Sequence, residues 1–468
     1  MGAIGGKDSM SGSFENLNVP PTLVSFAVTT SKISNIVSPE FKRAGNRAVL
    51  ISPDYDENGL PVTSSQLAVF ERVTELLRSG KAVSCYTPTM GGVAEAVMKM
   101  CFGNGIGFEY DPSVSVSDIF GYSYGSFLLE VTEDIADAVV LGKLTDDGKI
   151  SLNGESVELG SLLGIYEDKL ESVYPCNIPG GNSPMKNFSY TAEKRAAPAV
   201  KTAKPRVLIP VFPGTNCEYD SAKAMRDAGA EPEIFVVRNL TSDAVAESVD
   251  AFASKIKTSQ MIFIPGGFSG GDEPDGSGKF ITAFFRNAAV KEAVTRLLED
   301  RDGLMCGICN GFQALIKLGL VPYGKIIDTD AHCPTLTYNT IASHRSKIVR
   351  TRIASNKSPW LAHTEVGEIY NVPISHGEGR FIADEELITR LAENGQIATQ
   401  YVDAAGNASG DIHFNPNGSA YAIEGITSPD GRVFGKMGHS ERYATGLYKN
   451  VPGNYDMRMF ESAVEYFG

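Results

Sequence analysis

A short apolar run that ends in Gly-x-Cys-x-Gly is the feature that most constrains how this chain can fold. It lies in residues 303–318, GLMCGICNGFQALIKL, and the cysteine passes at once into a helical pattern. This pattern is typical of a nucleophile elbow, in which a strand ends and small residues allow a tight turn into a helix. The helix dipole and free N–H groups there favour a thiolate and can stabilise an oxyanion. The pattern predicts Cys309 as a nucleophile, with a buried cysteine at a tight turn as the alternative.

A cysteine nucleophile needs a base, and the base needs an acceptor that orients it. The chain has six histidines, and two of them precede a glutamate by two positions: His439 with Glu441 in GHSER, and His376 with Glu378 in ISHGEGRF. In an extended segment residues two apart point to the same side, so either glutamate can orient its histidine. Spacing does not choose between the two pairs. The other four histidines are interpreted as surface or structural residues: His332, His344, His363 and His413.

Strands, glycine-rich loops and helices alternate from about residue 205 onward, as in RVLIPVFPG (206–214) and QMIFIPGGFSGGD (260–272). This order predicts a parallel α/β sheet. Reactive groups in such sheets gather beyond the carboxyl ends of the strands. Gly267 can therefore offer a backbone N–H to an oxyanion formed at the carbon that Cys309 attacks. The alternative is a loop glycine needed only for its turn.

Six motifs occur in an order that points to a known family. Together they closely resemble the glutaminase domain of phosphoribosylformylglycinamidine synthase, a class I glutamine amidotransferase. The resemblance implies a flavodoxin-like parallel-sheet domain over residues 206–468. The motifs are FPGTNCE (212–218), PGGFSGGD (265–272), GICNGFQ (307–313), SHGEGRF (375–381), NPNGS (415–419) and GHSER (438–442).

The resemblance also assigns roles to residues of this chain. Cys309 matches the nucleophile, His439 the base and Glu441 its orienting carboxylate. Many relatives have proline at the position of Ser440, a departure that leaves both catalytic side chains in place. The remaining site candidates are the oxyanion or substrate residues Gly267, Asn310 and Gln313, and the secondary, site-shaping pair His376 and Glu378. Gln313 is as readily interpreted as a helix-surface residue.

The reaction that the resemblance implies begins with L-glutamine, whose hydrolysis needs no cofactor and no metal. The ammonia passes to a synthetase site where ATP and Mg²⁺ support conversion of formylglycinamide ribonucleotide to the amidine. The resemblance implies that ATP and Mg²⁺ bind mainly to domains outside this chain. The expected partners are those upstream synthetase domains.

The first part of the chain predicts a separate unit. Residues 21–173 alternate strand-like and helical runs, which favours a compact α+β domain. GGKDSMSG (5–12) resembles a motif that precedes the aminoimidazole-ribonucleotide-synthetase-like C-terminal domain of the large, single-chain form of the enzyme, and the segment 87–108 resembles a Gly-Gly-containing helix start of that domain. That resemblance implies that residues 1–20 are the tail of an upstream synthetase domain. Proline, glycine and polar residues in 174–205 indicate a linker, although such a segment can also be packed.

Composition excludes several classes of protein. A net charge of −14 and a pI near 5.0 disfavour nucleic-acid binding. The sequence has no apolar run of membrane-spanning length and no signal-peptide pattern near its start. Seven scattered cysteines argue against a disulfide framework and favour the cytosol. Cys306 and Cys309 have CxxC spacing, but no second CxxC accompanies them, which disfavours a metal or redox site.

Three functional hypotheses follow. The favoured one is the glutamine-hydrolysing portion of phosphoribosylformylglycinamidine synthase. The second is a stand-alone cysteine hydrolase or peptidase on the same flavodoxin-like sheet. The third is a docking fragment whose glutaminase is folded but silent without its partner domains.

Overall fold

The computed structural model describes residues 5–9, 12–14, 16–20, 22–173, 184–271 and 276–468. The chain divides into two compact units, residues 1–173 and 174–468. Met10 and Ser11 of the GGKDSMSG motif, Asp272 of the PGGFSGGD motif and residues 174–183 of the predicted linker lie outside the described residues.

The first unit is built on a seven-stranded mixed sheet. Its strand order is β11-β10-β7-β9-β5-β8-β6, in which β10 and β7 are parallel and the other neighbours are antiparallel. The elements of this unit are β1 (Gly5–Ser9), β2 (Gly12–Phe14), β3 (Leu17–Val19), β4 (Thr22–Phe26), β5 (Arg47–Ile51), α1 (Thr63–Arg78), β6 (Ala82–Tyr86), α2 (Gly92–Phe102), β7 (Gly107–Tyr110), α3 (Val116–Phe120), β8 (Phe127–Val131), β9 (Val139–Thr145), β10 (Lys149–Leu152), β11 (Glu155–Glu158) and α4 (Leu159–Asp168).

Helix α2 shows how this unit forms its core. Apolar residues recur at helical spacing along it, so that Val93, Val97 and Met100 all face inward and are fully buried. Its start is closed by a side chain of the helix itself, because the Glu95 carboxylate accepts from the Gly91 N–H at 3.0 Å. A carboxylate at this end also complements the helix dipole.

The second unit is built on a nine-stranded sheet with helices on its faces. Its elements are β12 (Arg206–Val211), α5 (Glu218–Asp227), β13 (Glu231–Val236), α6 (Ser242–Ile256), β14 (Met261–Ile264), α7 (Lys279–Arg286), α8 (Ala288–Glu299), β15 (Leu304–Ile308), α9 (Asn310–Leu318), α10 (Leu320–Tyr323), β16 (Thr335–Thr337), β17 (Arg345–Ile353), β18 (Ile369–His376), β19 (Arg380–Ile382), α11 (Glu385–Glu393), β20 (Ile397–Tyr401), β21 (Ile423–Thr427), β22 (Val433–Lys436) and α12 (Met459–Glu465).

The topology of this sheet confirms the predicted α/β class and extends it. The order is β13-β12-β14-β15-β22-β21-β20-β17-β18, and the first five strands are all parallel. Numbered along the chain, these five strands have the order 2-1-3-4-5 of flavodoxin-like sheets. The last four strands are antiparallel, which the sequence analysis did not anticipate.

The burial of the strands differs between the parallel and the antiparallel half of the sheet. Strands β14 and β15 are buried at every residue, as expected for parallel strands covered on both faces by helices. Strand β18 instead alternates buried and half-buried residues, which is typical of an antiparallel strand with one open face. The parallel half ends at β15 and β22, and the predicted nucleophile and base follow these two strands.

The described part of the predicted linker packs along the antiparallel half of the second unit. The Phe188 N–H donates to the Gln400 side chain at 2.8 Å, and the Phe188 carbonyl accepts from Arg352 at 2.6 Å. The Tyr190 N–H donates to the Ala354 carbonyl at 2.8 Å. Phe188 and Tyr190 of this segment are therefore held by specific hydrogen bonds. Of the helices in the described residues, none combines the length and apolar character needed to cross a bilayer.

Candidate active site

Cys309 stands between β15 and α9 in a conformation that few non-glycine residues adopt. Its φ is 53° and its ψ is −107°, a strain of about 1–3 kcal/mol that the surrounding structure must hold in place. A Cβ on Gly311 would lie 2.1 Å from the Ile264 carbonyl oxygen, so this position of the motif requires glycine. The Cys309 N–H donates to the Lys436 carbonyl at 2.9 Å, which ties the turn to β22. The elbow predicted from Gly-x-Cys-x-Gly therefore has the expected backbone geometry.

His439 and Glu441 form a buried pair next to this elbow. Nδ1 of His439 lies 2.6 Å from Oε1 of Glu441, and both side chains are almost completely buried. A Cβ built on Gly266 would be 2.7 Å from Cε1 of His439 and 3.5 Å from Cβ of Cys309, so the ring and the cysteine meet across this glycine. Burial alone would lower the pKa of His439, but the Glu441 carboxylate and the neighbouring thiols outweigh it and raise the pKa well above its ordinary value.

The local backbone at this pair differs from the expectation. The sequence argument assumed an extended GHSER segment, whereas Ser440–Arg442 form a short 3-10 turn. The side chains nevertheless converge, because His439 precedes the turn and Glu441 folds back onto its ring. A protonated imidazole held by a carboxylate beside a cysteine is the arrangement that supports a thiolate nucleophile.

His376 is placed differently, although it has the same spacing to a glutamate. It is buried at the end of β18, and neither ring nitrogen has a hydrogen-bond partner among the described residues. Burial, with smaller contributions from His439 and His344, lowers the pKa of His376 to about 3. Glu378 does not contact the ring as an acceptor; its carboxylate instead accepts from the Ser277 N–H at 3.2 Å. His376 is therefore neutral at physiological pH.

A cavity of about 150 Å³ opens above Cys309. This volume is well below the roughly 300–1,000 Å³ of pockets for drug-sized ligands, so the cavity suits a small molecule. Four of the predicted site residues line it besides the cysteine: Gly267, Gln313, His376 and Glu378. The full lining is Gly267, Phe268, Ser277, Cys309, Gln313, Tyr338, His344, Ser375, His376, Gly377 and Glu378.

A chain of side-chain hydrogen bonds joins the loops around the cavity. The Ser269 N–H donates to Oδ1 of Asn310 at 3.2 Å, and Nδ2 of Asn310 donates to Oε1 of Gln313 at 2.9 Å. Nε2 of Gln313 then donates to the Glu378 carbonyl at 2.5 Å. Gln313 is only 4% exposed and lies on the cavity side of α9. The relay fixes the position of the Gly267 loop relative to the elbow and to the SHGEGRF segment.

His344, which the sequence suggested was a surface or structural residue, is exposed but lies at the cavity mouth. Its Nε2 is 3.0 Å from Oγ of Ser375, and its ring lies against that of Phe268. Nothing in the local sequence indicates this position, because His344 lies in a polar segment without a His-x-Glu partner. Only the approach of β17 to β18 brings it there.

Comparison with known proteins places the chain in a family. Residues 204–467 match the model of the CobB/CobQ-like glutamine amidotransferase domain. The chain belongs to this family. The amidotransferase domain is 34% identical over 284 residues to phosphoribosylformylglycinamidine synthase subunit PurQ of Methanococcus maripaludis, an alignment that covers 56% of this chain and 97% of the relative. The corresponding subunit of Salinibacter ruber is 31% identical over 258 residues, covering 55% of this chain and 95% of the relative.

These matches confirm the resemblance of the second unit to the glutamine amidotransferase of phosphoribosylformylglycinamidine synthase. A structure of PurLQS from Thermotoga maritima is also similar, with 26% identity, a TM-score of 0.41 and coverage of 57% of this chain and 100% of that chain. The family match begins at residue 204, so it does not extend to the first unit.

A buried cysteine that the sequence analysis did not select as a site residue lies near the base. Cys217, in the FPGTNCE motif, is fully buried with Sγ 3.9 Å from Nδ1 of His439. The Arg442 guanidinium donates to the same sulfur at 2.9 Å. Within the described residues, ligand-type atoms of Cys217, His439 and Glu441 all lie within 4.8 Å of one another. The short His439–Glu441 hydrogen bond and the guanidinium on the sulfur favour a hydrogen-bonded cluster over a cation site.

Proposed function

We propose that this chain is the glutamine-hydrolysing portion of a phosphoribosylformylglycinamidine synthase. The observation that carries the proposal is the strained elbow cysteine, Cys309, beside a buried His439–Glu441 pair and beneath a small cavity. Nucleophile, base and orienting carboxylate are the three parts that cysteine-dependent acyl transfer requires.

In the proposed reaction the Cys309 thiolate attacks the carboxamide carbon of glutamine, and the carbonyl oxygen becomes an oxyanion. Backbone N–H groups near Gly267 and Asn310 stabilise this oxyanion. His439 gives its proton to the leaving nitrogen, so that ammonia departs and a glutamyl thioester remains on Cys309. Water then attacks the thioester with His439 as the base, which releases glutamate and restores the thiolate.

The cavity wall supports recognition of a small amino acid. Neutral His376 presents ring nitrogens that have no partner within the described structure, and it can hydrogen-bond to a ligand without adding a charge. Gln313 and Glu378 line the same cavity, and we assign them a role in shaping and contacting the substrate. His376 and Glu378 thus serve the substrate side of the site, whereas His439 and Glu441 serve the cysteine.

The proposal extends to the complete enzyme. We infer that the first unit is the aminoimidazole-ribonucleotide-synthetase-like domain of the large single-chain form, and that the chain works in the cytosol with upstream synthetase domains. Ammonia from Cys309 would there be used in the ATP- and Mg²⁺-dependent conversion of formylglycinamide ribonucleotide to the amidine. The Gly91–Gly92 turn does not fit a nucleotide phosphate, because Glu95 already takes the Gly91 N–H and the Thr89 hydroxyl. This turn therefore supplies no phosphate contact for the ATP chemistry.

The test is release of glutamate and ammonia from glutamine by the chain, with His439→Ala and His376→Ala measured alongside. The proposal predicts turnover that is lost with His439→Ala and partly retained with His376→Ala. Turnover of peptides or esters in preference to glutamine would instead support a stand-alone hydrolase. If the unmutated chain does not hydrolyse glutamine, the assay is repeated with the synthetase domains, formylglycinamide ribonucleotide and ATP. Restored turnover then indicates a coupled fragment, and continued absence of turnover contradicts the proposal.

A further inference from the structure

A buried ion pair lies directly beneath the turn that carries the base. Nζ of Lys436 is 3.5 Å from Oε1 of Glu424, and both side chains have no solvent exposure. Lys436 is the last residue of β22 and pairs with Gly425 of the neighbouring antiparallel strand β21, and Glu424 is the residue before Gly425. Neither residue lines the cavity above Cys309.

The Lys436 ammonium and the Lys436 carbonyl contact the two segments that carry the base and the nucleophile. The Lys436 ammonium donates to the Gly438 carbonyl at 3.1 Å and to Oγ of Ser440 at 3.0 Å, on either side of His439. The Lys436 carbonyl accepts from the Cys309 N–H at 2.9 Å. A single residue thus holds the elbow through its backbone and the base-bearing turn through its side chain.

Glu424 completes the arrangement from the other side. Its Oε1 accepts from the Gly438 N–H at 2.6 Å, and its Oε2 accepts from the Thr399 hydroxyl. Both the N–H and the carbonyl of Gly438, the residue before His439, are therefore held by the two charged partners. The peptide that aims the imidazole has little freedom to rotate.

The energetics indicate that this pair does more than stabilise the fold. Removing two charges from water is costly, and apolar residues of similar volume often stabilise a core equally well or better. The pair instead fixes the orientation of the Gly438–Ser440 backbone through its hydrogen bonds. Catalysis depends on such orientation: a displacement of about 1 Å at a reacting group can cost roughly 10²-fold in rate.

We propose that Lys436, Glu424 and Ser440 are positioning residues that hold His439 in register with Cys309. They act through the turn and touch neither the glutamine nor the reacting atoms. The inference rests on the proposed glutaminase function, in which His439 is the base of Cys309.

The experiment compares glutamine hydrolysis, kcat and KM separately, for Ser440→Ala, Ser440→Thr and the double variant Lys436→Met/Glu424→Gln. The double variant removes both charges together. Removal of either partner alone would leave the other as an uncompensated buried charge. Glu130→Gln serves as a control, since Glu130 is an equally buried carboxylate held by hydrogen bonds in the first unit. A second readout is the rate of Cys309 alkylation by an electrophilic glutamine analogue.

The inference predicts that kcat of the double variant falls by about 10²-fold while KM changes by less than about threefold. Ser440→Ala is expected to lower kcat in the same way and Ser440→Thr to restore it, because threonine keeps the hydroxyl that Lys436 binds. The rate of Cys309 alkylation is expected to fall together with kcat, because His439 loses its fixed position beside the nucleophile.

The inference is overturned if the variants keep kcat within about threefold of the unmutated chain, or if they change only KM. If the double variant does not fold, the Ser440 pair alone decides by the same criterion. An unmutated chain that neither hydrolyses glutamine nor reacts with the analogue, even with its synthetase domains present, contradicts the proposed function instead. The two failures are therefore distinguishable.

Discussion

Because His376 is buried in its neutral form, the amidotransferase unit is expected to lose folding stability as the pH falls. An unfolded histidine has a pKa near 6.5, whereas burial lowers that of His376 to about 3 in the fold. Between these values the unfolded chain binds a proton that the folded chain does not, so stability is lost as the pH falls below 6.5. For one such group the loss between pH 7 and pH 5 amounts to about 2 kcal/mol.

His439 acts in the opposite direction over this range. Its pKa is raised in the fold, so its contribution to stability is complete below the unfolded pKa and is lost as the pH rises. The His376 contribution must therefore be isolated by difference. His376→Gln removes the titrating group and leaves His439 in place.

The assay is urea unfolding followed by the fluorescence of Trp360, the one tryptophan of the chain, which is fully buried in the amidotransferase unit. The free energy of unfolding of the unmutated chain is expected to fall, from pH 7 to pH 5, by about 2 kcal/mol more than that of His376→Gln. The exposed residue His332 provides the control, and His332→Gln is expected to follow the unmutated chain. If His376→Gln loses as much stability as the unmutated chain, to within about 0.5 kcal/mol, the assignment of a neutral buried imidazole is refuted.

Two further predictions concern the framework of the site. Gly311→Ala would press a Cβ against the Ile264 carbonyl, so we expect about 1–3 kcal/mol of destabilisation and loss of glutamine turnover. The control Gly164→Ala, which has open space around the added Cβ, is expected to keep turnover. Normal activity of Gly311→Ala would contradict the elbow geometry. Gln313→Ala breaks the relay, because Nδ2 of Asn310 and the Glu378 carbonyl lose their hydrogen bonds to its side chain, so kcat/KM for glutamine should fall at least about tenfold. Gln396→Ala removes a buried glutamine that is bonded outside the cavity, and it should change stability but not kcat/KM. Equal kinetic effects of the two variants would count against the relay.

The parallel half of the sheet could be predicted from the sequence because its strands are continuous apolar runs that break into glycine loops. Strands β14 and β15 are such runs, and both end at site residues. The antiparallel half could not be predicted in the same way. Strands β17 and β18 carry charged and polar residues along an open face, and their pairing depends on contacts between distant parts of the chain.

The His-x-Glu spacing selected both histidines of the candidate site but could not separate their roles, which only the family resemblance assigned. His376 and His439 each precede a glutamate by two positions, and only the backbone distinguishes them. After His376 the chain turns so that Glu378 binds the Ser277 N–H, whereas after His439 a 3-10 turn folds Glu441 back onto the imidazole. A rule based on extended spacing cannot anticipate either turn.

Lys436 and Cys217 were not identified for a related reason. Lys436 is the one charged residue in the apolar strand β22, which is the signal that could have drawn attention to it. Its partner Glu424 comes from another strand, and that pairing is visible only in the folded sheet. Cys217 lies in a motif used for the family resemblance, but its approach to His439 depends on how α5 meets the turn that carries the base.

The most direct test of the account is to trap the acyl intermediate. The chain, with its synthetase domains where they are needed for turnover, is mixed with glutamine, quenched in acid and mapped by peptide mass spectrometry. The account predicts a glutamyl adduct on Cys309 that persists in Cys306→Ala and is absent from Cys309→Ala. A glutamyl adduct on Cys217, or glutamine turnover that continues in Cys309→Ala, would contradict it.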